Sequence, residues 1–138
     1  MPEPSHVTEV TEVTEVTATV TAVGLEADDP AALAAFWAAA TGGTTVPAGD
    51  QVFVRPARSG GVGMYVGPLS GPRPDRNLSH LDLTVPWGSR ATLVTRLLAL
   101  GATHRWDVLD EHPQVQWTTL ADPEGNLLCI AEHRPAQA

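Results

Sequence analysis

The sequence repeats one pattern twice, and this repeat constrains the fold more than any other feature. Each half predicts a strand, then a helix, then three further strands, and the halves overlay with Ala22 on His80. The later strands overlay without a gap, which places Met64 on Cys129. An internal repeat of this size indicates two similar modules packed together. We therefore predict an α+β fold of two βαβββ modules in one chain, whose eight strands form a curved mixed sheet around a cleft.

Turn and loop signals divide the chain. We place an N-terminal tail at residues 1–18, the first module at 19–68, a linker at 69–77, the second module at 78–134 and a C-terminal tail at 135–138. The tail contains HVTEVTEVTEV, whose period of three matches neither a strand nor a helix, so we expect it to be partly disordered. The segment SGPRPDRN is rich in proline, glycine and charge, as is typical of a linker.

The two predicted helices carry clear end signals. The stretch DDPAALAAFWAAATGG predicts a helix that begins at Pro30, with Asp28 or Asp29 as its cap, and stops at Gly42. The stretch SRATLVTRLLALGA predicts a second, amphipathic helix with Ser89 as its cap.

Composition excludes several classes of partner. The net charge is -8 and no basic stripe is present, which argues against nucleic acid and anionic lipid. No apolar run is long enough to span a membrane, and the first residues do not form a secretory signal. A single cysteine cannot form a disulfide within the chain. We therefore expect a cytoplasmic protein with neither nucleic acid nor membrane as a partner.

Four stretches carry a resemblance to a known family: DPAALAAFWAAATGG, PRPDRNLSHLDLTV, LLALGATH and WTTLADPEGNLLCI. In these stretches the chain resembles the vicinal-oxygen-chelate superfamily, in its glyoxalase-like and bleomycin-resistance-like branch. The resemblance covers about residues 19–133 and implies the two-module fold. It specifies function less closely, because the fold hosts isomerases, lyases, dioxygenases, thiol transferases and drug-binding proteins.

The resemblance also implies where a metal ion would bind. In metal-using members, the first and last strands of each module supply histidine, glutamine or glutamate ligands, and these positions correspond to Ala22, Met64, His80 and Cys129. Ala22 offers no ligand, and the thioether of Met64 is a poor one for a hard divalent ion. His80 and Cys129 alone fall short of the three protein ligands of a catalytic zinc site. We predict no metal and no other cofactor, with a copper(I) site as the alternative, and Cys129 as a small side chain lining the cleft.

Strand alternation predicts which side chains face the cleft. In LSHLDLTV, His80 and Asp82 share one face, and the repeat places Glu26 on the equivalent face of the first module. We predict these three as catalytic residues, because an imidazole beside carboxylates can act as a general acid or base near neutral pH. The residues predicted to contact the ligand are Trp117, Cys129, Met64, Thr84 and Trp106.

Two classes of function remain open from the sequence. The first is a metal-independent isomerase, lyase or cyclase that acts on a small organic metabolite. The alternative is a non-catalytic protein that binds an antibiotic or drug and confers resistance, which needs only shape, aromatic walls and acidic residues for a cationic ligand. In either class the partner is a small molecule. We also expect a homodimer, with the Ala- and Trp-rich first helix as a surface for it.

Overall fold

The computed structural model describes residues 16–75 and 77–136, which form eight strands and two helices. The first module comprises β1 (Ala22–Ala27), α1 (Pro30–Thr41), β2 (Thr44–Ala48), β3 (Gln51–Arg55) and β4 (Gly63–Pro68). The second comprises β5 (His80–Val85), α2 (Arg90–Ala99), β6 (Thr103–Val108), β7 (Val115–Ala121) and β8 (Leu127–His133). Most of the predicted N-terminal tail lies outside the described residues. Within them, neither helix has the length and apolar character needed to cross a membrane.

Each module forms one four-stranded mixed sheet. The strand orders are β1-β4-β3-β2 and β5-β8-β7-β6. In both sheets the first strand of the module pairs in parallel with the last, and the other neighbours pair antiparallel. The predicted α+β fold of two βαβββ modules is confirmed, with the eight strands hydrogen-bonded as two sheets of four.

The gapless overlay of the two halves is one residue out of step in the last strand. Gly24 of β1 pairs with Tyr65, and at the equivalent place in the second sheet Asp82 pairs with Cys129. Tyr65 is therefore the counterpart of Cys129. Successive side chains of a strand point to opposite faces, so this shift moves Met64 from the open face to the core. Met64 is buried there, and its predicted place in the cleft is wrong.

Loop length explains the shift. Residues 56–62 connect β3 to β4, whereas the shorter segment 122–126 connects β7 to β8. The first loop is therefore two residues longer (seven against five). An overlay without a gap spreads this difference evenly, so it is one residue out of register in β3 and one residue out of register, in the opposite direction, in β4. Phe53, which pairs with Tyr65, is accordingly the counterpart of Thr119, which pairs with Cys129.

The predicted start of α1 is confirmed. The Asp29 carboxylate accepts a hydrogen bond from the Ala32 N–H at 3.1 Å, Pro30 opens the helix, and Gly42 ends it in the left-handed conformation at φ 76°.

The start of α2 differs from the prediction, because the Ser89 side chain makes no capping hydrogen bond. The Glu132 carboxylate of β8 accepts from the N–H groups of Gly88 and Arg90 instead, at 2.6 and 3.3 Å. A carboxylate at this place satisfies free N–H groups and complements the helix dipole.

One hydrophobic core joins both modules on the helix side of the sheets. Leu33 and Trp37 of α1 and Leu97 of α2 belong to it and are fully buried. The Trp37 indole N–H donates to the Asp122 carboxylate at 3.0 Å, which links α1 to the turn between β7 and β8. The large side chains of α1 are therefore used within the chain, and the reason given above for placing a dimer surface on this helix is wrong.

A charged contact fastens the linker to both modules. The Arg73 guanidinium binds the Glu124 carboxylate and lies 3.2 Å from Asp28. Glu124 also accepts from the N–H groups of Asp28 and Asp29. Burial opposes the charge of Glu124, but these donors outweigh it and hold the pKa of its carboxyl below the usual value.

Candidate functional site

A cavity of about 550 Å³ opens on the face of the second sheet that points away from the core. All of its walls come from β5, β6, β7 and β8. The predicted site residues that line it are His80, Asp82, Thr84, Trp106, Trp117 and Cys129. A volume of this size suits a small organic molecule.

Strand alternation places these side chains together. Leu81 and Leu83 of β5 pack against the core, so His80 and Asp82 between them face the cavity. Cys129 pairs with Asp82 across the parallel ladder between β5 and β8 and faces the same way. This part of the site follows from the sequence pattern alone.

The wall of the cavity contains a compact cluster of His80, Asp82 and Cys129, whose ligand-type atoms all lie within 4.8 Å of one another. The Nε2 atom of His80 lies 3.3 Å from Oδ1 of Asp82. Both side chains are open to the cavity, at 51% and 69% exposure, whereas Cys129 is buried. An imidazole next to a carboxylate is the arrangement from which proton transfer is built.

Cys129 contributes a neutral thiol. Burial, supported by the negative charge of Asp82, raises the pKa of this thiol, although a hydrogen-bonding contact with Thr119 opposes the change. The Sγ atom lies 3.2 Å from the Thr119 hydroxyl. A thiol nucleophile needs a lowered pKa and a nearby positive charge. The environment of Cys129 is the reverse, which agrees with its predicted role as a small cavity-lining side chain.

The positions at which the family resemblance implies metal ligands do not suit a hard divalent ion. In the first module these positions hold Ala22, which has no donor, and Tyr65, which has a phenol. The second module offers an imidazole, a carboxylate and a protonated thiol, so Asp82 adds a third donor to those of His80 and Cys129. A mixed set of this kind suits zinc. Zinc binding requires loss of the thiol proton, which the raised pKa of Cys129 opposes.

Two tryptophans form flat walls. Trp106 is 48% exposed, and Trp117 stacks on the His112 ring with 5.5 Å between ring centroids and 13° between ring planes. His112 lies in the loop between β6 and β7, and no local sequence pattern shows that this loop folds back onto β7. His133, at the end of β8, also lines the cavity. Strand alternation could have identified His133, because it lies two and four residues beyond Ala131 and Cys129.

Glu26 does not join the cluster. Its carboxylate accepts hydrogen bonds from the N–H and hydroxyl of Ser70. These hydrogen bonds hold the pKa of the Glu26 carboxyl below its usual value. With His80 it lines a second cavity of about 550 Å³ at the seam between the modules, under the linker. The predicted grouping of Glu26 with His80 and Asp82 is therefore not what the structure shows.

The comparisons agree with this architecture. The model of the glyoxalase-like domain family matches residues 22–131. Among curated proteins, none matches the chain in sequence.

Several solved structures share the fold. One is a glyoxalase/bleomycin resistance protein/dioxygenase family enzyme from Burkholderia phytofirmans, with TM-score 0.70 and 18% identity over 83% of this chain and 98% of that one. A glyoxalase-related enzyme from Fulvimarina pelagi has TM-score 0.68 and 20% identity over 84% and 88%. A genomically encoded fosfomycin resistance protein from Listeria monocytogenes has TM-score 0.69 and 13% identity over 88% and 94%. At these identities the likeness concerns the fold alone.

Proposed function

Because the chain belongs to the glyoxalase-like domain family, we propose that it is an enzyme that binds a small organic molecule in the cavity of the second module. The proposed reaction is an isomerisation, an elimination or a cyclisation driven by proton transfer, without a metal ion. The observation that carries this proposal is the His80–Asp82 pair, with 3.3 Å between Nε2 and Oδ1, in the wall of the cavity.

The chemistry follows from the roles of the two groups. The neutral imidazole of His80 removes a proton from the bound molecule, and the Asp82 carboxylate stabilises the imidazolium that forms. The imidazolium then returns the proton to a different atom, or to a departing group, which restores the enzyme. Trp106 and Trp117 provide faces on which a planar molecule stacks. The thiol of Cys129 and the hydroxyl of Thr119 are neutral and add no competing charge.

The experiment starts without a known substrate. The protein is incubated with a bacterial metabolite extract in D2O, and mass spectrometry identifies compounds that gain deuterium or are converted only when protein is present. We expect His80→Ala to lower the rate of that change about a hundredfold, the range for a lost general acid or base. The control is Arg96→Ala, which truncates an exposed side chain of α2 that does not line the cavity. Full activity of the His80→Ala protein would refute the proposal.

Sequestration of a drug or antibiotic is the second candidate, favoured by the aromatic walls and the net charge of -8. The fold of a fosfomycin resistance protein is among those similar to this one. In this case native mass spectrometry should detect retained but unconverted compounds. His80→Ala should then cost about 1 kcal/mol, or under tenfold in affinity. Trp117→Ala should weaken binding more than His80→Ala, which is the reverse of the ranking for an enzyme.

We further propose that the chain forms a homodimer in which the open face of the first module covers the cavity of a second copy. Support comes from two features: the cavity is lined by the second module only, and the first module leaves an aromatic pair on its open face. The ring centroids of Phe53 and Tyr65 lie 4.7 Å apart, and Tyr65 is 45% exposed. Sedimentation equilibrium should give a dimer for the natural sequence and a monomer for Tyr65→Glu. A monomeric natural protein would refute it.

A further inference from the structure

A chain of hydrogen-bonded polar side chains lies on the core side of the second sheet, directly behind the cavity wall. We name it the backing layer and define it by five residues: Arg90, Asp107, Gln116, Thr118 and Glu132. It joins the start of α2 to β6, β7 and β8. None of its members lines the cavity.

Arg90 is the branch point of the backing layer. Its Nε donates to Glu132 at 3.0 Å, and its Nη1 donates to the Thr118 hydroxyl at 2.6 Å. Thr118 extends the network to β6, because its hydroxyl donates a hydrogen bond to the Asp107 carboxylate at 2.6 Å. The planar fork of a guanidinium can hold two partners in fixed directions, which the single ammonium of lysine cannot do.

The hydrogen bonds of the backing layer are largely buried, so breaking one of them is costly. Thr118 is fully buried, and the side chains of Glu132 and Arg90 are 4% and 14% exposed. Burial opposes the charge of Glu132, but donors from Gln116, Gly88 and Arg90 outweigh it and hold the pKa of its carboxyl below the usual value. Buried polar groups are costly to leave without partners, so the layer resists small displacements of any one strand.

Three of the four strands of this sheet carry a cavity residue next to a residue of the backing layer. Trp106 precedes Asp107 on β6, Trp117 precedes Thr118 on β7, and Ala131 precedes Glu132 on β8. Alternation points the first member of every pair into the cavity and the second towards the layer. Because the two residues of each pair are adjacent in the backbone, a displacement of the backing layer also displaces the cavity wall.

We infer that Arg90 is a positioning residue for the cavity, which fixes the two tryptophan walls by holding Thr118 and Glu132 from behind. This inference rests on the cavity being the functional site of the proposed function, but it does not depend on which reaction takes place there.

The test uses the full chain labelled with 5-fluorotryptophan, without any ligand. Fluorine NMR gives one resonance for each tryptophan, and Trp→Phe variants assign them. In Arg90→Lys we expect the resonances of Trp106 and Trp117 to shift or lose their single sharp line. The resonance of Trp37, which is buried in α1, should stay unchanged and serves as an internal reference. Arg96→Lys is the matched control, because it makes the same change on an exposed part of α2.

A second pair of variants tests the same contact from β7. Thr118→Val removes the hydroxyl and should reproduce the effect of Arg90→Lys on Trp106, whereas Thr118→Ser keeps the hydroxyl and should restore the natural spectrum. Cys129, the sole cysteine, gives an independent readout. Its reaction with a disulfide reagent in the folded protein should be faster in Arg90→Lys than in Arg96→Lys.

The outcomes separate positioning from stability. A lower melting temperature in Arg90→Lys with natural tryptophan resonances and an unchanged thiol rate would overturn the inference, because the layer would then support the fold only. If Thr118→Val does not fold, the comparison of Arg90→Lys with Arg96→Lys still decides. Since no substrate is involved, a failure of the proposed reaction leaves these results unaffected.

Discussion

The two modules share one topology, but their open faces carry different side chains. The second module presents His80, Asp82 and Cys129 in one cluster. At the equivalent places the first module has Ala22, Gly24 and Tyr65. On the core side, by contrast, the first strands of both modules keep the same apolar alternation, with Val23 and Leu25 in β1 and Leu81 and Leu83 in β5. The difference between the open faces therefore places the candidate chemistry on the second module.

The first open face is also partly filled by its own aromatic rings. A Cβ atom added at Gly63 would lie 2.7 Å from atoms of the Phe53 ring, so this ring rests directly on the glycine backbone. Phe53 in turn contacts Tyr65. At the positions that correspond to Gly63 and Phe53, the second module has Leu127 and Thr119, and the cavity opens between its walls. Aromatic rings therefore occupy part of the open face of the first module, whereas the open face of the second module is left accessible to a ligand.

The modules also differ in how they use a carboxylate, and this difference gives the largest expected effect on stability. Glu132→Gln should lower the free energy of unfolding by about 3 kcal/mol, because it leaves the buried Arg90 guanidinium without its charged partner. Glu26→Gln in the first module is the matched control and should leave the free energy of unfolding nearly unchanged, since Glu26 is exposed and contacts Ser70 only by hydrogen bonds. Urea denaturation measures both. Equal losses of unfolding free energy in the two variants would contradict the expected difference between the modules.

The comparison of the natural protein with Glu132→Gln also predicts how stability depends on pH. The pKa of the Glu132 carboxyl is lowered from its ordinary value of 4.5, so its contribution to stability is complete above pH 4.5. That contribution is lost as the pH falls through the lowered pKa, because the unfolded chain then binds the proton more readily. The difference in unfolding free energy between the natural protein and Glu132→Gln should therefore narrow below pH 4.5. A difference that stays constant down to pH 3 would show that charge on Glu132 is not involved.

A smaller effect is expected at the seam between the modules. Trp37→Phe keeps most of the buried ring but removes the N–H that donates to Asp122. We expect a loss of about 1 kcal/mol, because Asp122 is buried and retains donors from Glu124 and Asn126. Phe36→Leu, a substitution of a neighbouring core ring without a hydrogen bond, controls for lost volume. If the two modules unfold in separate steps in Trp37→Phe, the seam is weaker than the shared core implies.

The sequence predicts the fold well, because periodicity and helix ends are local signals. The alternation in LSHLDLTV places His80 and Asp82 on the cavity face, and the Asp29–Pro30 pair marks the start of α1. Both features depend on residues that are close in the chain. What the sequence misses depends on contacts between distant residues.

Two misses show this limit. The Met64 prediction fails because the length of one loop shifts the register of a strand by one residue, and such a shift exchanges the two faces completely. The cap of α2 comes from Glu132, which lies 42 residues from Arg90, so no local pattern identifies it. The backing layer escapes prediction for the same reason, since its members come from a helix and three strands.

The smallest expected effect concerns Cys129 and tests whether the second module alone holds a metal. We expect elemental analysis of tag-free protein to find no stoichiometric transition metal, and Cys129→Ser to change the melting temperature little, because a serine hydroxyl can keep the contacts of the thiol with Thr119 and Asp82. Burial and Asp82 raise the pKa of the thiol, and this adds to the cost of releasing its proton when a metal binds. Zinc added to the purified protein supplies the decisive comparison. A thermal stabilisation by zinc that disappears in both Cys129→Ser and Asp82→Asn would contradict the expectation and would make the His80, Asp82 and Cys129 cluster a zinc site built from one module.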